Sequence, residues 1–399
     1  MAFFARSFGK VKQIPVLGPR YFTISHNTPW ALPQSSFIEV SGVDTQKFLQ
    51  GLCTNDLTKL NQQSPNCMPA AFLTAKGRIF TNTLVYMNKQ EENSPISVIL
   101  ELNKAAAGEF QRYLTMYKLR SKVTIKSLPW SCEFIPGPPL SNTTTSKGKG
   151  DVALTISDPR VPDFGSRIIR TVNAPSDDID QTIYSWYERY KLVHGLADGP
   201  ETHARIPLEC NLDLLGYVSF TKGCYVGQEL TARTKFKGLV RKRLVPFLLA
   251  RSAHEHAAGN MERFQPLSAE LKDKLCDFKY DPSDSMIVDS VLGVGSRVYA
   301  DVDSAKSIGE VVHVDSTRTI GVAMIQQAAL SSTPADANSS TSSNAAVNLV
   351  VRKPVSVQPG EEEAGSSSVV LEGLDSGVGF ISTFRPDWFH GLDERTGNV

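Results

Sequence analysis

Residues 97–128 constrain what this chain can become more than any other stretch. SVILEL (97–102) is an apolar run of strand length, and Asn103 is a helix-capping residue. Phe110, Tyr113, Leu114 and Tyr117 then follow the i, i+3, i+4, i+7 spacing of one helix face, which predicts a helix to about Arg120. VTIKSL (123–128) returns to strand. Upstream, FIEVSG (37–42) reads as a strand, with Ser41 or Asp44 placed to cap a helix through Lys47, Phe48 and Leu49. AAFLTAKGRIFTNTLVYM reads as two strands around a Lys76-Gly77-Arg78 turn. Strands alternating with amphipathic helices make this an α+β fold.

The pattern breaks at PGPPLSNTTTSKGKGD (136–151), which reads as a surface insertion, and resumes with VALTISDPR and GSRIIRTV. A helix is expected over 180–196, with Ile183, Trp186, Tyr187, Tyr190 and Val193 as a core stripe. From about residue 241 the chain changes character. VLGVGSRVYA, GEVVHVDS, RTIGVAMI and VNLVVRKPV are short β segments punctuated by glycine, which predicts a small antiparallel barrel or sandwich. Residues 252–286 and the Ala/Ser/Thr-rich 328–346 interrupt it as loops, and Trp388 in FRPDWF is placed to dock on the body.

A chain of 399 residues is too long for one ordinary core. Its formal net charge of +1 gives no sign of a nucleic-acid or bulk membrane partner, and no apolar run reaches the length of a membrane span. Six cysteines include no C-x-x-C pair, and seven histidines form no H-E-x-x-H pattern. That usage suits a reducing compartment, and a complete metal or iron–sulfur site made by this chain alone is not expected. The first 29 residues carry Arg6, Lys10, Lys12 and Arg20, and the first acidic residue is Glu39. A basic, hydroxyl-bearing leader without acids has the composition of a mitochondrial presequence, with the mature protein starting near Trp30.

The chemistry concentrates in SFTKGCYVGQELTAR (219–233). Gly223 and Gly227 permit sharp turns, and Gln228-Glu229 opens a short helical pattern, so Cys224 is expected on a loop just before a helix N-terminus. Lys222 precedes it, and Arg233 and Lys235 follow. Helix N-termini and cations favour the thiolate, the form that binds metal or attacks electrophiles. The bland alternative is a small buried hydrophobe. No histidine lies nearby to serve a cysteine-protease mechanism.

KGCYVGQE resembles the signature of the YgfZ-type proteins, relatives of the glycine-cleavage T-protein (aminomethyltransferase). GLCTNDL, LTAKGRI, ARIPLECNLD and ELTAR extend the likeness, which covers roughly residues 31–325. With the leader, the chain is similar to the family's mitochondrial branch, assembly factors for 4Fe–4S proteins that act with A-type (Isa) scaffolds in the matrix. The resemblance implies a T-protein-like folate-binding domain over 30–240, with lobes around a central opening, and a C-terminal antiparallel β-barrel domain over 241–399. It makes Cys224 the motif cysteine, supported by Lys222, Gly223, Tyr225, Gly227, Gln228, Glu229 and Arg233. It also implies a folate-like pocket using Pro207 and Glu209 of RIPLE, with Asn82, and with Lys76 and Arg78 as rim cations; a merely solvated turn is the alternative for those two.

One departure bears on mechanism. The T-protein carries an aspartate pair where this chain has Thr81 and Asn82, and neither supplies a carboxylate for general-base or charge-stabilising work. An aminomethyltransferase activity is therefore not expected, although Asn82 retains the ability to hydrogen-bond a pterin edge. A lone thiol makes sense if a partner scaffold supplies the other ligands of a transient, shared 2Fe–2S cluster, since such clusters take four thiolate-type ligands. Cys224, activated by Lys222, would then assist maturation of 4Fe–4S targets such as aconitase and lipoate synthase. Two other readings stand beside it: a tetrahydrofolate-dependent one-carbon transferase or oxidoreductase, and a non-catalytic scaffold contact in which Cys224 is structural.

Overall fold

The structure is a computed structural model. It describes residues 29–61, 67–88, 96–141, 143–146, 152–171, 181–250, 293–300, 305–315, 320–331, 349–352, 378–383 and 386. The presequence, Cys276, most of both C-terminal interruptions and Trp388 lie outside them.

Strands β2 (Ser35–Ser41), β3 (Cys67–Leu73), β4 (Ile79–Asn88), β5 (Ser97–Asn103) and β6 (Thr124–Leu128) form an antiparallel sheet in the order β3-β4-β5-β2-β6. Helices α1 (Thr45–Gln50) and α2 (Lys104–Lys118) cover one face. Asn103 caps α2, its side chain accepting from Ala105 N–H at 2.9 Å. Asp44 occupies the cap position of α1, but its carboxylate accepts instead from Lys122 N–H at 2.7 Å, which ties the helix start to the chain entering β6. Side chains alternate strictly: Ile38, Val40, Phe72, Val85, Val98 and Leu100 pack under the helices with Phe110 and Leu114. Phe37, Leu84, Tyr86 and Ile99 point the other way. Both faces are buried, which explains why Val98, Ile99 and Leu100 run on as apolar residues rather than alternating with polar ones.

The opposite face meets a second sheet, ordered β1 (Trp30–Ala31), β7 (Ser131–Pro136), β10 (Gly165–Arg170), β9 (Val152–Ser157) and β8 (Thr143–Ser146). Helix α3 (Gln181–Val193) supplies Tyr187 and Tyr190, whose rings pack on Phe134 and Phe164, with Trp30 edge-on to Tyr190. The stretch 136–151, read from sequence as an insertion, thus contributes an edge strand, because Thr143–Ser146 pairs with β9. Its sequence, Thr-Thr-Thr-Ser, carries no apolar signal, so only the pairing with β9 reveals it.

The C-terminal strands β11 (Lys242–Ala250), β12 (Arg297–Tyr299), β13 (Ser307–Val314), β14 (Ile320–Gln326), β15 (Leu349–Arg352) and β16 (Val378–Thr383) close in the order β11-β14-β13-β12-β15-β16. The ring shuts because β11 pairs with both β14 and β16, which leaves no free edge. Val245, Phe247, Val298, Val311, Ala323 and Ile325 fill its interior. Leu244, Ile320, Val322 and Met324, on the other side of the same strands, join the core of the first two sheets. A short helix, α5 (Gln327–Ser331), begins where the sequence reads as loop.

Candidate functional site

Two segments far apart in sequence build the site. GLCTNDL follows α1, and SFTKGCYVGQ leads into helix α4 (Gln228–Phe236). Backbone bonds zip them together: Ser219 N–H donates to Thr54 O, and Val226 N–H to Gly51 O, both at 3.0 Å. Thr54 braces the junction, its hydroxyl donating to Tyr217 O at 2.6 Å and accepting from Ala71 N–H at 2.9 Å.

Lys222 locks the seam. Its ammonium donates to the carbonyls of Gln50 (2.7 Å), Cys53 (2.7 Å) and Asn55 (2.8 Å), and lies 5.1 Å from the centre of the Tyr225 ring. The side chain is buried, and that desolvation lowers its pKa. All three ammonium protons are thus spent inside, on carbonyls at the end of α1. This corrects the expectation that Lys222 activates Cys224: the cation faces the interior and organises the loop instead.

The loop presents the thiol outward. Gly223 and Cys224 are exposed, whereas Tyr225 turns in and is buried. Gly227 adopts a left-handed backbone, φ +78°, at the cap of α4. A Cβ there would lie 2.4 Å from Thr74 O, so only glycine lets the loop seat against the Lys76-Gly77-Arg78 turn. Gln228 is half-buried, Glu229 stands exposed in the first turn of α4, and Arg233 is exposed near its end, both charges as the helix dipole favours.

The other described cysteines are shut away. Cys53, Cys67, Cys132 and Cys210 are buried and unbridged. Burial pushes all four thiols up, Cys210 to about 12, and at Cys53 it prevails over the nearby Lys222 ammonium. Cys210, fourteen residues before Cys224, lies in the interior and is no partner to the exposed thiol. Among the described residues no group of three or more His, Cys, Asp or Glu is arranged to hold a metal ion.

A cavity lies between the first two sheets. Asn82 lines it, but Lys76, Arg78, Pro207 and Glu209 do not. Lys76 and Arg78 sit exposed on the turn that packs against α4. Pro207 and Glu209 belong to a turn tied to the barrel, where Glu209 O accepts from Leu244 N–H at 2.9 Å. What lines the cavity instead is a buried ion-pair lattice. Arg167 donates to Glu101 (2.5 Å) and Asp158 (2.9 Å), Arg160 to Asp158 (2.6 Å) and Asp198, and Lys191 to Asp198 (2.8 Å) and Glu188 (2.9 Å). Tyr86 and Ser35 hydroxyls complete Glu101, and the Tyr187 hydroxyl accepts from both guanidiniums. Sequence reasoning missed this lattice, whose members are spread over nearly a hundred residues. The readable signal was Glu101, a carboxylate inside an otherwise apolar strand.

These residues do not fit a bound tetrahydrofolate in the manner expected. Each cation lining the cavity is already committed to carboxylates, and freeing one to meet a glutamate tail would strand a buried charge. Among the residues lining the cavity, Asn82 alone keeps an unpaired buried oxygen, Oδ1, while its Nδ2 donates to Thr202 Oγ1 at 3.0 Å. Thr81 and Asn82 are both buried and neutral, so no carboxylate stands where the aspartate pair would act.

No family model matches the chain. The fold is similar to that of the glycine cleavage system aminomethyltransferase T from Bartonella henselae, with a TM-score of 0.54 over 90% of this chain and 85% of that one. At 10% identity that likeness shows the fold alone. In sequence, the chain is 34% identical over 260 residues to the mitochondrial iron–sulfur cluster assembly factor IBA57 homolog of Neurospora crassa, covering 61% of this chain and 58% of that protein. The match therefore spans under three fifths of the fungal relative. It is 34% identical over 270 residues to the mitochondrial iron–sulfur cluster assembly factor IBA57 of Mus musculus, covering 61% of this chain and 71% of that protein. The human counterpart is 33% identical over 237 residues, 54% of this chain and 66% of its own length. On these grounds the chain belongs to the family of the mitochondrial iron–sulfur cluster assembly factor IBA57.

Proposed function

We propose that this chain acts in the mitochondrial matrix as an assembly factor for 4Fe–4S proteins, and that Cys224 lends one ligand to a cluster otherwise held by an A-type scaffold. The carrying observation is the sorting of thiols: among the described cysteines Cys224 is exposed and the other four are buried. A single outward thiol supplies at most one of the four ligands a 2Fe–2S cluster takes, so the rest come from a partner. The cluster is cargo passed between proteins. The chain's own part is mechanical: Lys222 and Gly227 fix the loop, and the loop keeps Cys224 exposed.

In cells depleted of the endogenous factor, Cys224→Ala should fail to restore aconitase activity while accumulating to the wild-type level. Restoration of full activity by Cys224→Ala would leave Cys224 a structural residue. The folate-enzyme reading rests on the shared fold, and fold does not carry activity. With Thr81 and Asn82 in place of carboxylates, no one-carbon transfer step is assigned to the cavity.

A further inference from the structure

The surface that continues from Cys224 along α4 carries a cationic and apolar strip. Phe236, at the helix end, is 69% exposed, and Leu239 just beyond it is 81% exposed. Phe236 packs edge-on against Phe220 at 6.1 Å, and Phe220 lies four residues before Cys224, so the far end of α4 folds back to the segment that delivers the thiol. Lys235 holds its ammonium 4.9 Å from the centre of the Phe220 ring. Arg233, Lys237, Arg241 and Lys242 are exposed along α4 and the chain that leaves it, and Glu229 is the one acidic residue between 228 and 242. Arg233, Lys237 and Arg241 form no salt bridge among the described residues.

Two large apolar side chains and several cations thus lie uncovered on one nine-residue helix and its exit, next to the exposed thiol. Size decides what covers them. A specific interface buries ~800 Å² on each side, a disc of roughly 16 Å radius. Helix α4 is about 13 Å long at ~1.5 Å per residue. A protein whose cluster reaches Cys224 therefore covers α4 as well.

We infer that Phe236 and Leu239, with Arg233, Lys237 and Arg241 of the same stretch, are the docking surface for the cluster-carrying partner, and that this partner presents an apolar centre within an acidic rim. The inference rests on the proposed role of Cys224 for its geometry. Docking itself needs no cluster, because the strip is complete without the thiol. Charge complementarity of this kind speeds encounter and fixes orientation, and salt weakens it.

The test is the affinity of the full chain for an A-type scaffold stripped of iron, measured by calorimetry at low and high salt. The double variant Lys237→Glu/Arg241→Glu and the single variant Leu239→Ser should each weaken binding at least tenfold. Arg112→Glu, on the exposed face of α2, should leave it unchanged. Wild-type affinity in both strip variants overturns the inference. So does binding that appears only with the loaded scaffold and ignores the strip. Loss of binding to phosphatidylglycerol vesicles, with scaffold affinity untouched, would reassign the strip to a membrane surface and also overturn it. Because docking is read without iron, its failure is separate from failure of the shared-ligand reading, which shows only in the spectrum of the loaded complex.

Discussion

Gly77 and Gly227 touch backbone to backbone. A Cβ on Gly227 would lie 3.0 Å from Gly77 Cα, and one on Gly77 would lie 2.8 Å from Gly227 O. Both have left-handed backbones, φ +75° and +78°. The β3–β4 turn and the cysteine loop therefore sit closer together than any other residue pair would allow. Gly227→Ala should cost roughly 2–4 kcal/mol, combining the disfavoured φ with a clash against Thr74 O. Urea unfolding of the variant checks this, and a loss below about 0.5 kcal/mol would show that the contact relaxes freely.

Lys222 is a structural clamp on the same loop. Lys222→Met removes three donors and leaves buried carbonyls of Gln50, Cys53 and Asn55 unmet. The expected loss is roughly 2–4 kcal/mol, read by denaturant midpoint. Unchanged stability together with slower alkylation of Cys224 would return Lys222 to the activating role first read from sequence.

The ion-pair lattice makes its own prediction at low pH. Burial would raise the Asp158 carboxyl, but the Arg160 and Arg167 guanidiniums outweigh it and hold the group at about 2. Asp198 is likewise pulled well below the usual carboxylate range, Lys191 and Arg160 prevailing over its burial. An unfolded aspartate titrates near ~3.9, so both groups bind protons more readily in the unfolded chain. The stability they give is complete above about pH 5 and drains away as pH falls through ~4 toward 2. In Asp158→Asn the slope of stability against pH in that window should be shallower by up to ~1.4 kcal/mol per pH unit. Equal slopes in both proteins would contradict the pairing. Arg167→Ala, which strands Glu101 and Asp158, should cost about 3–5 kcal/mol.

Native alkylation tests the sorting of thiols. Brief iodoacetamide treatment followed by peptide mass spectrometry should label Cys224 first and leave Cys53, Cys67, Cys132 and Cys210 protected until the chain unfolds. Labelling of Cys210 at a comparable rate would mean that the interior opens under native conditions.

Much of this architecture was legible because it rests on local signals. The helix face of Phe110, Tyr113 and Leu114, the Asn103 cap, the Lys76-Gly77-Arg78 turn and the loop before α4 are each written within a few residues. The inward turn of Lys222 was not legible, because its acceptors lie some 170 positions earlier and belong to a helix end. The space that Asn82 lines was not legible for the same reason. RIPLE and the basic turn are near one another in the fold, Arg205 O accepting from Ile79 N–H at 3.0 Å and the Arg78 cation acting on Glu209, yet Arg78, Pro207 and Glu209 do not line that space. Pairings such as Arg167 with Glu101, which join two sheets, leave no trace in periodicity.

The most direct measurement is anaerobic reconstitution of the full chain with an A-type scaffold, followed by absorption and Mössbauer spectra of wild type and Cys224→Ser. A cluster that forms only in the mixture, and whose spectrum changes or disappears when the sulfur at residue 224 is replaced, is the predicted result. A cluster with the same spectrum and yield in both proteins would contradict a ligand role for Cys224.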